Sequence, residues 1–302
     1  MKRRNVIKQL ILLPILTSNA VYNPDLVEKR LKGFGLQLST VTPLMAKDFV
    51  GTLKLVSDLG YRMVEFSALG YLGRDIIEVK DLLSKYNLKA PVGRVAFDAP
   101  SDFMTLPRDQ QMKIFGSQGT MESLQKRIKK SVEECKIMNQ KYLNIPAILP
   151  HVFSDMGQIK GMIEILRDCG KYCIDQGVML GYHNHNWEFN EIEGIIPFEL
   201  MLSELDESYF TFQLDTYWIR KAERNLSDML TNYPGRFSTC HFKDIDQEGD
   251  FADVGYGEID FPAFTKAAIK HGIKYFFVER DSPPDPEQAM SRSAAYLKKM
   301  KY

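Results

Sequence analysis

The sequence carries no net charge: 39 lysines and arginines are balanced by 39 aspartates and glutamates. A protein that works on nucleic-acid backbones normally has a basic surplus, so DNA and RNA are not expected partners. A small, largely uncharged molecule fits this surface better. Cysteine is scarce as well. The four present, Cys135, Cys169, Cys173 and Cys240, form no CxxC pair, so the common CxxC zinc and redox motifs are missing, and their spacing suits packing better than a disulfide framework. Cys169 and Cys173 lie one turn apart on a predicted helix, and free buried thiols are the expectation. No apolar run is long enough to span a bilayer, so stable membrane insertion is not expected. The first predicted strand, "GFGLQLSTVTP", lacks the glycine-rich phosphate loop of a doubly wound nucleotide-binding sheet. No linker, low-complexity segment or strong internal repeat divides the chain.

At the N-terminus, "MKRRNVIKQLILLPILTSNA" combines a basic start, an apolar run from Leu10 to Leu16, and Ser18-Asn19-Ala20. This resembles a secretory leader with a small-residue cleavage site. Arg3-Arg4 followed by Val6-Ile7 resembles a twin-arginine export signal. The expectation is a leader over residues 1–20, a single domain over 21–302 and a periplasmic location, with a cytoplasmic one as the alternative.

Beyond residue 33 a short β-rich run and an amphipathic helical run alternate eight times. The predicted strands are 33–39, 62–67, 89–95, 142–145, 178–184, 210–215, 237–243 and 275–279. Between them, stretches such as "KDFVGTLKLVSDLG" place Phe49, Leu53, Val56 and Leu59 on one helical stripe ending at Gly60. Eight β/α units in 302 residues with 44% hydrophobic content predict a single α/β domain, a (β/α)₈ TIM barrel. The longest stretch read as irregular, 97–119, follows the third strand and is expected to fold over the barrel mouth.

In such barrels the active site lies at the C-terminal ends of the strands. Reading the terminal polar residues in order gives Glu65, Arg94, Asn144, then His183 and His185 in "LGYHNHNWEF". Asp215, His241 with Lys243, and Glu279 follow. Three of only five histidines thus fall at the ends of the fifth and seventh strands, and two acids at the ends of the sixth and eighth. Mixed imidazole and carboxylate donors suit Mn, Co, Fe or Zn better than Ca. His183 and His185 share a strand face, as do His241 and Lys243. Each pair can therefore offer one metal ligand and one group directed at substrate. Taken singly, each residue also has an ordinary reading: a hydrogen-bonded histidine, Asp215 as a helix N-cap, Glu279 as a partner of Arg280.

The segments "GVMLGYHNHNWEF", "FQLDTYWI", "CHFKD", "FADVGYGEIDF" and "YFFVERD" resemble the xylose isomerase-like barrel superfamily, which includes the apurinic endonuclease family 2. Within it the chain is similar to exported proteins of the sugar phosphate isomerase/epimerase type, over about residues 33–300. The resemblance implies one divalent metal (Mn, Co or Zn) held by one group from each of strands five to eight: His183, Asp215, His241 and Glu279. It also implies a carbohydrate substrate; self-association into a homo-oligomer is left open by the sequence. Two positions depart from the pattern. Ketose 3-epimerases of the superfamily carry glutamate where this chain has His183, and they use it with the strand-eight glutamate as an acid/base pair. Many relatives have histidine after strand three, where this chain has Gly93-Arg94. Endonuclease relatives hold three metals with many more histidines than the five present.

The chemistry expected is proton abstraction beside a carbonyl, through an enediolate whose charge the metal stabilises. His185, Glu279 and Lys243 are the expected acid, base or proton-donating groups. Glu65, Arg94, Asn144, Trp187 and Trp218 are expected to line the substrate, with Phe97 and Tyr217 as further stacking candidates. Two alternatives use the same residues. One is a lyase or hydratase acting on 3-keto-glycosides. The other is a non-catalytic carbohydrate-binding barrel, which requires no metal and tolerates loss of Glu279.

Overall fold

The computed structural model describes residues 29–100 and 103–302; the leader-like segment lies outside these residues. Among these residues ten strands form: β1 Gly35–Gln37, β2 Met63–Glu65, β3 Val92–Arg94, β4 Tyr142–Ile145, β5 Met179–His183, β6 Phe210–Asp215, β7 Phe237–Phe242, β8 Asp244–Ile245, β9 Phe251–Ala252 and β10 Tyr275–Val278. Eight of them make one parallel sheet in the order β2-β1-β10-β7-β6-β5-β4-β3. The two ends of that sheet meet through a parallel bridge between Met63 and Lys89, where Val64 N donates to Lys89 O at 2.8 Å. The sheet closes, and helices surround it: a single (β/α)₈ barrel. The remaining strands, β8 and β9, form a small antiparallel ladder after β7.

The helices form where the apolar spacing places them. Asp48 caps the helix Phe49–Asp58 by accepting from Gly51 N, and Phe49, Thr52, Leu53 and Val56 are its buried face. The chain leaves that helix through Gly60 at φ 93, where a side chain would be strained. β4 and β6 have the expected bounds, and the other six barrel strands are shorter than the β-rich runs. Residues Leu38–Val41 wind into a 3₁₀ turn directly after β1.

The stretch 97–119 differs from expectation, since it contains the helix Arg108–Ser117. Pro107 stands at its N-cap, and Gln111 ties it down by donating to Phe103 O and Leu106 O. Phe115 packs edge-on against Phe97 and Phe103, with ring centroids 4.7 and 5.0 Å away. Few apolar residues mark this helix, so its periodicity is weak in the sequence. All four cysteines are buried free thiols. Among the described residues no helix is long and apolar enough to cross a membrane.

Candidate metal centre at the barrel mouth

The register of the sheet assembles the site. His183 ends β5 and pairs with Gln213 of β6. Between β6 and β7 the pairing shifts by one residue after Phe212, so that Gln213 faces Thr239 and Asp215 faces His241. Without that shift Asp215 would stand opposite Cys240. Side chains of parallel partners point to the same face, and the shift therefore turns Asp215 and His241 into the barrel together. Glu279 follows β10 directly and completes the group.

His183, Asp215, His241 and Glu279 each offer a donor atom, and these four atoms lie within 4.8 Å of one another. All four residues are buried. Asp215 Oδ2 lies 3.8 Å from both His183 Nε2 and His241 Nδ1. Among the buried polar atoms, Asp215 Oδ2 and His183 Nδ1 have no hydrogen-bond partner, which is costly in a protein interior. Asp215 Oδ1, by contrast, caps the following helix by accepting from Trp218 N at 3.0 Å. The N-cap reading of Asp215 and the ligand reading thus use different oxygens. Two imidazoles and two carboxylates gathered around an Asp215 oxygen that lacks a hydrogen-bond partner fit a divalent transition metal.

The charges form an alternating chain across the mouth. Arg94 Nη1 lies 3.0 Å from Glu65 Oε2, which lies 2.6 Å from His241 Nε2. His241 Nδ1 is 2.8 Å from Glu279 Oε2, and Lys243 Nζ is 3.2 Å from that same oxygen and 2.7 Å from Asp281 Oδ2. Burial alone would discharge these groups. Lys243 and His241 outweigh burial at Glu279 and hold its carboxyl well below the usual range. Against burial, Glu279, Asp215 and Asp281 raise Lys243, while Glu279 and Glu65 lift His241 to about 9. Burial dominates at the other two ligands. It lifts Asp215 to about 7, and together with the positive charge of His241 and Arg94 it holds His183 well below its ordinary value. His183 is therefore a neutral imidazole with a lone pair to offer.

Around the opening, the His185 ring stacks on Trp187 with centroids 4.1 Å apart and lies 5.2 Å from Trp218. It stands 4.9 Å from His183, nearly perpendicular to it. The indole N–H groups of Trp187 and Trp218 have no hydrogen-bond partner; nor has His185 Nδ1, which lies 3.7 Å from Glu188 Oε1. Lys243 Nζ sits 5.2 Å from the Trp218 ring and 5.0 Å from that of Phe251. The turn carrying His185 and Trp187 is held by Glu188, a buried carboxylate that accepts from Tyr182 OH and from His185 N.

The structure places the remaining candidates less openly. Glu65 is fully buried beneath His241, and Arg94 binds Glu65 and Gln213. Asn144 lies inside the barrel, donating to Thr239 Oγ1 at 3.1 Å. Tyr217 packs on Phe251 at 4.3 Å, and Phe97 lies under Arg127 as well as against Phe115. A cavity of about 300 Å³ opens among the loops after β1, β2 and β3, lined by Phe49, Leu72, Arg74 and Phe103 among others. None of the four quartet residues lines it.

Gln37, Ser39, Gln213, Glu188 and Asp281 also belong to the site and were not singled out by sequence. Ser39 Oγ donates to Glu279 Oε1 at 3.0 Å. A glutamine inside an apolar strand, as in "GLQL" and "FQLD", is the signal that marks two of them. The segment "FADVGYGEIDF" serves to shape a loop. Asp244 accepts from the backbone N–H groups of Gly255, Gly257 and Ile259. A Cβ on Gly257 would come within 2.3 Å of Ile245 O.

The profile of the xylose isomerase-like TIM barrel family matches residues 53–300, and the chain belongs to that family. No curated protein sequence matches it. A sugar phosphate isomerase/epimerase from Parabacteroides distasonis is 22% identical; the match covers 88% of this chain and 93% of that one, with a TM-score of 0.70. A 3-keto-D-glucoside 4-epimerase from E. coli is 18% identical, with 90% and 100% covered and a TM-score of 0.64. A probable 3-DHS dehydratase from Bacillus anthracis is 10% identical, with 88% and 98% covered and a TM-score of 0.64. At these identities the likeness shows the shared fold.

Proposed function

We propose that the protein is a divalent-metal-dependent sugar isomerase or epimerase that removes a proton from a carbon beside a carbonyl. The observation that carries this reading is the buried His183–Asp215–His241–Glu279 quartet, in which Asp215 Oδ2, 3.8 Å from a ring nitrogen of each histidine, has no hydrogen-bond partner. A divalent metal held there supplies Lewis-acid stabilisation of the negative charge that develops on the oxygen next to the reacting carbon. The protein's own groups do the rest. The Trp187 and Trp218 rings offer a face for the apolar side of a sugar, and their free N–H groups reach for hydroxyls. His185 lies on the outer side of His183, where it exchanges the carbon-bound proton. Lys243, held as an ammonium, donates to the developing oxyanion.

A second reading, a lyase or hydratase on a 3-keto-glycoside, is favoured by His183. It occupies the position of one of the two carboxylates that ketose 3-epimerases exchange protons through. Lys243 would then protonate the departing oxygen. One solved neighbour is named as acting on a 3-keto-glucoside. Metal analysis of the purified protein, followed by NMR of products from free sugars and 3-keto-glycosides, separates the readings. A stereoisomer of equal mass supports the first; a released aglycone or an added water supports the second. No turnover and no bound metal would leave only a carbohydrate-binding barrel.

The leader-like residues 1–20 support export to the periplasm, and hence a non-phosphorylated sugar. Replacing Arg3-Arg4 by Lys-Lys should retain the protein in the cytoplasm. An intact N-terminus on periplasmic protein would contradict cleavage.

A further inference from the structure

We infer that Glu65 is a positioning residue of the candidate metal centre, holding His241 so that Nδ1, and not Nε2, faces the metal. This rests on the metal reading above. His241 lies between two carboxylates: Nε2 is 2.6 Å from Glu65 Oε2, and Nδ1 is 2.8 Å from Glu279 Oε2. Only the Nδ1 side also faces Asp215, at 3.8 Å. The two nitrogens therefore have different surroundings, one toward the quartet and one away from it.

Glu65 is fully buried and enclosed by protein donors, which keeps it from a substrate. Its Oε1 accepts from Gln213 Nε2 at 2.9 Å. Its Oε2 accepts from Gln37 Nε2 at 2.9 Å and from Arg94 Nη1 at 3.0 Å, in addition to its contact with His241. Four donors thus surround the carboxylate, three of them at Oε2, the oxygen that faces His241. The donors are themselves oriented. Gln213 Oε1 accepts from Arg94 Nη1 at 2.9 Å, which turns its amide nitrogen toward Glu65. Gln37 Oε1 accepts from Ser39 N at 2.8 Å, with the same result. Groups from β1, β3 and β6 thus clamp the carboxylate from three directions.

The chemical consequence concerns the imidazole. Paired with the Arg94 guanidinium, Glu65 is an acceptor only. Once a metal takes the Nδ1 lone pair and draws Glu279 to itself, a neutral His241 carries its hydrogen on Nε2, where the Glu65 carboxylate accepts it. Carboxylate partners of metal-bound histidines fix tautomer and ring orientation in this way, and their loss typically costs 10–100-fold in metal affinity.

The test uses full-length protein with Co(II) and Zn(II) as probes. Titration of wild type and Glu65→Gln with Co(II) should show one site in each, weaker by about 10–100-fold in the variant. Glu65→Asp should recover part of the loss. Independently, ¹⁵N NMR of histidine-labelled wild type with Zn(II) should show His241 bound through Nδ1 and protonated at Nε2. Should Glu65→Gln fail to fold, this spectrum decides alone. Wild type that binds neither metal overturns the metal reading, and this inference with it. Wild type that binds, with equal affinity in Glu65→Gln or with His241 bound through Nε2, overturns the inference and leaves the metal reading standing.

Discussion

Glu65 and His241 lie 176 residues apart in the chain, yet Oε2 of one is 2.6 Å from Nε2 of the other. They join the first half of the barrel to the second beneath the mouth. The contact separates two kinds of polar group at the strand ends. One kind supports and orients from below; the other faces the space where a metal and a substrate can sit.

The purified protein should carry close to one divalent transition metal per chain, and His241→Ala should lose most of it. Tight protein zinc sites provide about 10–16 kcal/mol, and removal of one of four ligands should forfeit several of these. Elemental analysis after loading with Mn, Co and Zn checks this. Wild type that remains metal-free would refute it.

The two histidines of "LGYHNHNWEF" should separate. His183→Ala should lose metal and turnover together. His185→Ala should keep the metal and lose turnover by about 10²–10⁴, the contribution of one acid/base group. If His185 only braces its loop, its replacement should lower the melting temperature and leave turnover nearly intact. Equal metal loss in both variants would show that the assignments are wrong.

Metal uptake should tighten as pH rises from 6 to 9. Binding needs Asp215 as the anion and His241 with a free lone pair. In the metal-free protein burial holds Asp215 protonated up to about 7, and Glu279 and Glu65 keep His241 protonated up to about 9. Below each value a proton competes with the metal, costing up to about tenfold in apparent affinity per pH unit and per group. Calorimetry in buffers of different ionisation enthalpy should detect the released protons. A flat profile would argue against these two residues as ligands.

Lys243→Met should damage both turnover and stability. Its ammonium is buried among Glu279, Asp281 and Asp215, at 3.2, 2.7 and 3.9 Å. Removing it leaves Glu279 and Asp215 buried without that cation, and breaking such a buried pair costs about 3–5 kcal/mol. Asp281→Asn should do less, because Asp281 is partly exposed and the other two carboxylates still hold Lys243. Denaturant unfolding of both variants, alongside rates, measures the difference. Similar stability losses would mean that Asp281 holds Lys243 more strongly than the geometry indicates.

How much of this was legible beforehand follows from what is local. The eight-fold alternation, the stripe Phe49–Leu53–Val56 and the terminal polar residues of the strands are periodic properties of short segments, readable without neighbours. His183, Asp215, His241 and Glu279 stood out because a barrel must bring strand ends to one rim. The helix Arg108–Ser117 escaped because it is held by Gln111 and Phe115 contacts instead of an apolar stripe. The one-residue shift after Phe212, which sets Asp215 beside His241, has no signature in either strand. Nor does either segment reveal that Glu65 is enclosed by Gln37, Arg94, Gln213 and His241. Side-chain alternation and turn chemistry act over a few residues, so the sequence alone determined the strands, their polar ends and the barrel. Register and burial depend on several strands packing at once, so only the tertiary structure decided which carboxylates reach the mouth and which are locked below it.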